Sequence, residues 1–219
     1  MIADYYSSEP ALALVPALPG YTPLESLPVS IRGKRYDVLA YDPDGAREVL
    51  AAAGYPGGID ATGRRLTFPI NTSVSDLAET IRYQIQKNLK IEPRVNFMEF
   101  SVLYSAQSRG DLPGLTLLAN TLSYPDPYGI LAPWFTDFLG WHDRAYAAQL
   151  EEANRTVDRE VRMRNLARCE ARFMEAMPII PISWFPNLYL AKPYLRGMKS
   201  DLFSDMSFRY AWIDTEWKP

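Results

Sequence analysis

One histidine, His142, and one cysteine, Cys169, are all that this 219-residue chain offers toward imidazole or thiolate chemistry. A multi-histidine zinc site is therefore excluded, and any Ser/His/Asp or Cys/His machinery has to use that one imidazole. His142 stands in Gly140-Trp141-His142-Asp143 at the start of a helical pattern, with no serine or cysteine tied to it by motif. A loop or cap role fits it better than a general base. Cys169 recurs with Leu166 and Phe173 at helical apolar spacing, which reads as a buried structural thiol rather than a nucleophile. A lone cysteine makes no internal disulfide. Gly54, Gly57 and Gly58 are not followed by the Lys-Ser/Thr pair that a phosphate loop requires. Nothing in the pattern calls for a metal or a cofactor, and the expectation is a non-catalytic protein.

Residues suited to gripping a ligand are concentrated in one stretch, Asn120-Thr121-Leu122-Ser123-Tyr124-Pro125-Asp126-Pro127-Tyr128-Gly129. It combines hydrogen-bonding side chains, an aromatic ring and a carboxylate with two prolines, whose fixed φ lowers the entropy lost on binding. The competing reading is an ordinary proline turn before a helix capped by Asp126. Residue types alone leave both standing. Just beyond lie Trp134, Phe135, Phe138 and Trp141. Core packing is the commoner use of such rings, but an indole wall beside a polar loop also suits a solute cleft, which keeps Trp134 as a candidate.

Charge narrows the partners. A net charge of -3 and a pI near 5.3 argue against a general binder of nucleic acid or anionic membranes, both of which need a positive field. Arg155, Arg159, Arg162, Arg164, Arg168 and Arg172 are interleaved with acids. Glu151 with Arg155, Asp158 with Arg162, and Glu160 with Arg164 are i,i+4 partners, the pattern of a solvated salt-bridged face rather than of an RNA site. No run approaches the roughly 20 apolar residues of a membrane span. The first nine residues carry Asp4 and Glu9 without a basic cluster or a following apolar region, so they do not read as a secretory signal.

The elements that position these residues read as α/β. Hydrophobic residues make up 47% of the chain, enough for a substantial core. Five of the eighteen prolines fall in the first 28 residues, so residues 1–40 form an extended arm. Leu12, Leu14, Val15 and Leu18 predict that this arm lies against something. A hairpin is expected for Val29 to Ile31 and Tyr36 to Val38, turning at Gly33. Asp42-Pro43 starts a helix that Gly54 stops. Leu66 to Ile70 reads as a strand, and Ser73 with Asp76 as a capping box opening a helix with Val74, Leu77, Ile81, Ile85 and Leu89 on one face. A strand at 94–97, a helix at 101–108 and an apolar strand at 115–119 follow. Strand, helix, strand, helix, strand predicts a parallel sheet with right-handed crossovers, whose third strand is buried on both faces. Ligands sit beyond the carboxyl ends of such strands, where Asn120 begins its loop. Helices at 143–156 and 158–177 precede strands at 179–185 and 188–191.

Tyr41-Asp42-Pro43, Ala46, the run Val49-Leu50-Ala51-Ala52-Ala53-Gly54-Tyr55, the βαβ unit, Tyr124-Pro125-Asp126-Pro127 and Met177-Pro178-Ile179-Ile180-Pro181-Ile182 occur in this order. Together they resemble family 5 of the ABC-transporter solute-binding proteins, the peptide- and nickel-binding group, from about Tyr41 to Gly197. The resemblance implies a periplasmic-binding-protein-like lobe, residues 41–177, that closes with a second lobe on a small solute or peptide in the periplasm or extracellular space and hands it to a permease. It implies that an N-terminal lobe is missing from this chain. The arm at 1–40 and the return strands at 178–219 would then connect to that lobe, and the abandoned inter-lobe surface would favour self-association. Ligand contacts fall on Asn120, Thr121, Leu122, Ser123, Tyr124, Asp126 and Trp134.

One departure from the family pattern bears on the ligand. Peptide-binding members carry a tryptophan and an aspartate just before the proline turn, and the aspartate pairs with the peptide amino group. Asn120 and Ser123 stand there in this chain. Serine does not neutralise an ammonium, so an ordinary free-amino peptide is disfavoured unless Asp126 supplies the charge. The rival readings from other classes are a hydrolase using His142 and a ligand-sensing or oligomerising module without transport.

Overall fold

The structure, a computed structural model, describes residues 9–11, 13–121, 124–184, 190–200 and 206–218. The chain opens with a two-residue strand, β1 (Glu9–Pro10), and an irregular loop in which Leu18 and Tyr21 exchange backbone hydrogen bonds of 3.4 and 2.9 Å. Prolines deny this loop regular structure, yet Leu14, Val15 and Tyr21 are buried. The hairpin of β2 (Pro28–Ile31) and β3 (Lys34–Asp37) turns on Arg32 and Gly33. Both turn residues have positive φ, 50° and 82°, as a two-residue hairpin loop that follows the strand twist demands. Helix α1 (Pro43–Ala52) begins where expected: Asp42 accepts from the Gly45 amide at 2.8 Å, and Pro43 occupies the first turn, where a missing N–H costs nothing. A Lys34–Glu48 ion pair ties the hairpin to this helix.

The next five elements form the βαβαβ unit. They are β4 (Pro69–Thr72), α2 (Ser75–Leu89), β5 (Arg94–Phe97), α3 (Phe100–Ser108) and β6 (Leu115–Leu117). The strands are parallel in the order β5-β4-β6, with Ile70 opposite Val95 and Leu115. The α/β fold class predicted from the alternation of elements is therefore present. Three details differ. The first strand starts at Pro69 rather than Leu66, because Leu66 bonds to the loops at Gly58 and Glu92 instead of to a neighbouring strand. Helix α2 has its N-cap at Val74 rather than Ser73; Thr72 Oγ1 accepts the Val74 amide at 2.9 Å and turns the chain into the helix. The third strand is not buried on both faces: β6 lies at an edge with Leu115 exposed, and the central, sequestered position belongs to β4, where Ile70, Asn71 and Thr72 are buried. Gly114 leads into β6 at φ 79°, and a Cβ there would collide with the Pro69 carbonyl oxygen. Glycine is what lets the two strands close.

The helical half follows as α4 (Tyr128–Leu131), α5 (Pro133–Phe138), α6 (Arg144–Arg155) and α7 (Arg159–Ala176). Asp143 and Asp158 cap the two long helices, accepting from Tyr146 N at 2.8 Å and Val161 N at 2.9 Å. The larger apolar cluster lies here: Leu131, Phe135, Leu150, Leu166 and Phe173 pack with Leu14 and Val15 of the arm. Cys169 is fully buried within it, and burial pushes its thiol up to about 11. After Met177 ends α7 in the left-handed region, β7 (Ser183–Trp184) pairs antiparallel with β1, a much shorter strand than 179–185. Of the strand expected at 188–191, residues 188 and 189 lie outside the described residues, and Leu190 and Ala191 are not in a strand. Two short antiparallel pairs close the chain: β8 (Leu195–Arg196) and β9 (Lys199–Ser200) with, respectively, the later strands Trp212–Ile213 and Met206–Ser207, which in chain order are β10 (Met206–Ser207) and β11 (Trp212–Ile213). Among the described residues, no helix is long and apolar enough to cross a membrane.

Candidate ligand-binding site

Because the three strands are parallel, Thr72, Phe97 and Leu117 bring the chain out at one edge of the sheet, where α2 and α3 begin and the Asn120 loop departs. A buried amide ties the strands of this sheet together. Asn71 Nδ2 on the central strand donates to the carbonyls of Pro113 at 2.8 Å and Leu115 at 3.2 Å, and Asn71 Oδ1 accepts from Asn96 Nδ2 at 2.8 Å. All three strands are thereby held by one side chain. Asn120 and Thr121 are exposed, with Asn120 Oδ1 accepting the Thr121 amide at 2.9 Å. Leu122 and Ser123 lie outside the described residues. Tyr124 is partly exposed, and its hydroxyl is pushed above the ordinary value by burial and then by the Asp126 carboxylate.

Asp126 faces inward. Its two oxygens receive Arg162 Nη1 at 2.6 Å and Nη2 at 3.1 Å, and Oδ1 also accepts the Tyr128 amide at 2.9 Å. Side-chain exposures of 22% for Asp126 and 18% for Arg162 make this a half-desolvated bidentate pair. The carboxylate is thus committed to clamping the turn onto α7, and its charge is already neutralised. The pairing also corrects the expected Asp158–Arg162 bridge: Asp158 caps α7 instead, and Arg162 crosses to the turn. The other expected pairs, Glu151–Arg155 and Glu160–Arg164, form.

The four aromatic residues after the turn divide. Phe135 is buried, and Trp141 packs edge-on against Tyr146 and Phe173 with centroids 4.9 and 5.0 Å away. Trp134 remains 48% exposed. One helical turn along α5, Phe138 meets Tyr104 at 5.1 Å, and Tyr104 meets Phe100 at 6.1 Å. Phe138, Tyr104 and Phe100 therefore form a row of rings, with Trp134 one helical turn before Phe138 on α5 and exposed Phe97 at the carboxyl end of β5. Sequence reasoning missed Phe97, Phe100 and Tyr104. A signal existed: Leu103 and Ala106 supply the buried face of α3, so Phe100 and Tyr104, spaced i,i+4, make a second apolar stripe that packing does not need. Glu99 holds the start of α3, accepting Ser101 N at 2.8 Å, Val102 N at 3.2 Å and the Ser101 hydroxyl. These donors, the hydroxyl foremost, keep its carboxyl below the usual range.

The remaining candidates sit elsewhere. His142 is 72% exposed, its Nδ1 lying 3.5 Å from Asp137 Oδ1. Arg159 donates to the Pro19 carbonyl and Arg172 to Asp143, so five of the six arginines, with Arg155, Arg162 and Arg164, are engaged within the protein. A hollow of about 410 Å³ lined by Arg65, Tyr83, Lys87 and Lys90 lies toward the amino ends of the strands, away from the loop. Its cations serve the end of α2: Arg65 donates to the Lys90 carbonyl and Lys90 Nζ to the Lys87 carbonyl. No metal-binding cluster occurs among the described residues. What the sheet edge presents is rings, amides and hydroxyls, equipment for holding a solute by stacking and hydrogen bonds.

No protein-family model and no curated protein matches the sequence. Solved structures do. Haemophilus influenzae OppA in complex with RPPGFSPFR superposes on 98% of this chain with a TM-score of 0.77 at 17% identity, over 42% of its own length. A dipeptide-binding protein from Pseudoalteromonas, in complex with Met-Leu, covers 95% with a TM-score of 0.69 at 20% identity, over 41% of its length. The Escherichia coli murein tripeptide binding protein MppA covers 87% with a TM-score of 0.69 at 20% identity, over 37% of its length. The chain therefore spans about two fifths of the structures it matches. Its fold is that of the family 5 solute-binding proteins its sequence resembles, over the portion of them that it covers.

Proposed function

We propose that this chain is the C-terminal lobe of a solute-binding protein of an ABC importer, which holds a peptide or related small solute in the periplasm or extracellular space and presents it to a permease without chemistry. The observation that carries this reading is the coincidence, in a chain with the fold of peptide-binding proteins, of the Asn120–Tyr124 loop and the exposed ring row at the carboxyl edge of one parallel sheet. Trp134, Tyr104 and Phe100 supply stacking faces, and Asn120, Thr121, Ser123 and Tyr124 supply hydrogen bonds, with Leu122 as an apolar contact. Asp126 acts by shaping the loop through Arg162. The arm at 1–40 and the strands at 178–219 join this lobe to an N-terminal lobe.

The ligand class follows from charge. Ser123 brings no anion to the loop, and Asp126 is paired with Arg162, so an ammonium group gains no counter-charge there. Solutes with a blocked or uncharged amino end fit the loop better than free-amino peptides. Thermal-shift titration with matched N-acetylated and free-amino tripeptide pools tests this, since a ligand that binds the folded state raises its apparent stability. The expected result is a larger shift with the acetylated pool and loss of that shift in Trp134→Ala. No shift with either pool, or an unaltered shift in Trp134→Ala, would overturn the reading.

A further inference from the structure

Glu170, in the middle of α7, is the one charged side chain among the described residues that is sequestered from solvent, with 0% exposure. Both of its oxygens are used by the arm. Oε1 accepts the Val15 amide at 2.7 Å, across 155 residues of sequence, and Oε2 accepts the Tyr21 hydroxyl. Val15 and Tyr21 are themselves buried. The ionisable groups that interact with the carboxyl are Tyr21 from the arm and Tyr146 from α6, and Cys169 is its neighbour along α7. Burial pushes both phenols above their ordinary value and the thiol to about 11, so all three are neutral at physiological pH. Among the described residues, no lysine or arginine pairs with Glu170. Three neutral donors, the Tyr21 hydroxyl and the Val15 and Leu14 amides, offset only part of the cost of sequestering a charge.

We propose that Glu170 is a proton-operated latch: its neutral carboxyl holds arm residues 13–21 closed on α7, and its ionisation loosens them as pH rises. In the neutral form Oε1 still accepts from Val15; on ionisation the carboxyl proton leaves to solvent, and a charge that the donors of the arm only partly offset remains in an apolar site. Burial raises the carboxyl above its ordinary value of 4.5 despite the opposing hydrogen bonds from Tyr21, Val15 and Leu14. A raised folded-state value means that the latch contributes fully below 4.5 and is lost as pH climbs toward the folded value. Arg159, which donates to the Pro19 carbonyl at 2.9 Å, is a second tether, so the opening is local. The latch acts on the arm and does not depend on which solute the sheet edge binds.

Amide hydrogen exchange of the segment covering residues 13–21, measured from pH 4.5 to 8 and corrected for intrinsic rates, tests the latch. The opening equilibrium of the purified protein should rise with pH by up to about tenfold per unit within the titration window, the limit for one linked proton. Segments from the parallel sheet should show no such rise. Glu170→Gln, which keeps the shape and removes the titration, should give a flat profile. Tyr21→Phe removes a hydrogen bond that favours the ionised form, and should extend the rise to higher pH; it also serves if the Gln variant does not fold. A flat profile in the unaltered protein, an unchanged slope in Glu170→Gln, or an unchanged profile in Tyr21→Phe would each overturn the proposal.

Discussion

Replacing Arg162 by methionine separates two roles for Asp126, anchoring the turn or meeting a ligand. Exposed ion pairs contribute roughly 0.2–1 kcal/mol, and removing one partner of a fully sequestered pair costs about 3–5 kcal/mol. The Asp126–Arg162 pair lies between these limits: its geometry is bidentate at 2.6 and 3.1 Å, and its side chains are 22% and 18% exposed. Methionine preserves the aliphatic packing on α7, and the Asp126 carboxylate left behind keeps its bond from the Tyr128 amide and gains some water. A loss of about 2 kcal/mol is expected, or roughly 4–8 °C in melting temperature for a chain of this size. Differential scanning calorimetry reads it directly. Asp126→Asn should lose a comparable amount, and the double variant should lose much less than the sum, because the two residues share one interaction. If both single variants melt within about 1 °C of the parent, a shift below the one expected for 1 kcal/mol, the clamp is not structural and the inward reading of Asp126 is wrong.

Three further expectations concern other parts of the molecule. Cys169 has no exposed surface and a thiol raised to about 11, so a disulfide reagent at pH 8 should label it only on unfolding; labelling of the native protein at a free-thiol rate would contradict its packing. Asn71→Ala leaves the Pro113 and Leu115 carbonyls and the Asn96 amide without their partner, and should lower stability by about 2 kcal/mol in urea titration, within the 1–3 kcal/mol typical of unsatisfied polar groups. Asp143 is held below its ordinary 3.8, first by Arg172 and then by the Tyr146 amide. A depressed folded-state value gives stability that is present above 3.8 and is lost as pH falls through the folded value. Asp143→Asn should therefore flatten the acid limb of the melting-temperature profile, and an unchanged acid limb would assign the acid sensitivity elsewhere.

Much of the fold was legible in the sequence because its signals are local. Asp42-Pro43, Asp143 and Asp158 cap helices that begin within a residue or two of where the spacing placed them, since a cap needs only the three amides that follow it. The β5 strand at Arg94–Phe97 falls where it was expected. Boundaries shifted where a distant partner intervened, as when Leu66 turned to Gly58 and Glu92. The candidate loop was legible as a loop. Leu122 and Ser123 lie outside the described residues, and the ring row was missed because Phe100 and Tyr104 gain their meaning from Phe138, more than thirty residues away.

The sequence by itself determined that the chain alternates strands and helices into a parallel α/β unit, that one histidine and one cysteine leave little room for catalysis, and that a stiff polar loop follows the third strand. Tertiary structure alone decided which partner each charge takes. Arg162 had Asp158 within its own helix register and instead pairs with Asp126, 36 residues away; Glu170 reads as one more acid on a charged helix and is instead sequestered beneath an arm 149 to 155 residues distant. Helix and turn propensities depend on neighbours within about four residues, whereas the pairing of a charge depends on where packing removes water, which the order of residues along the chain does not record.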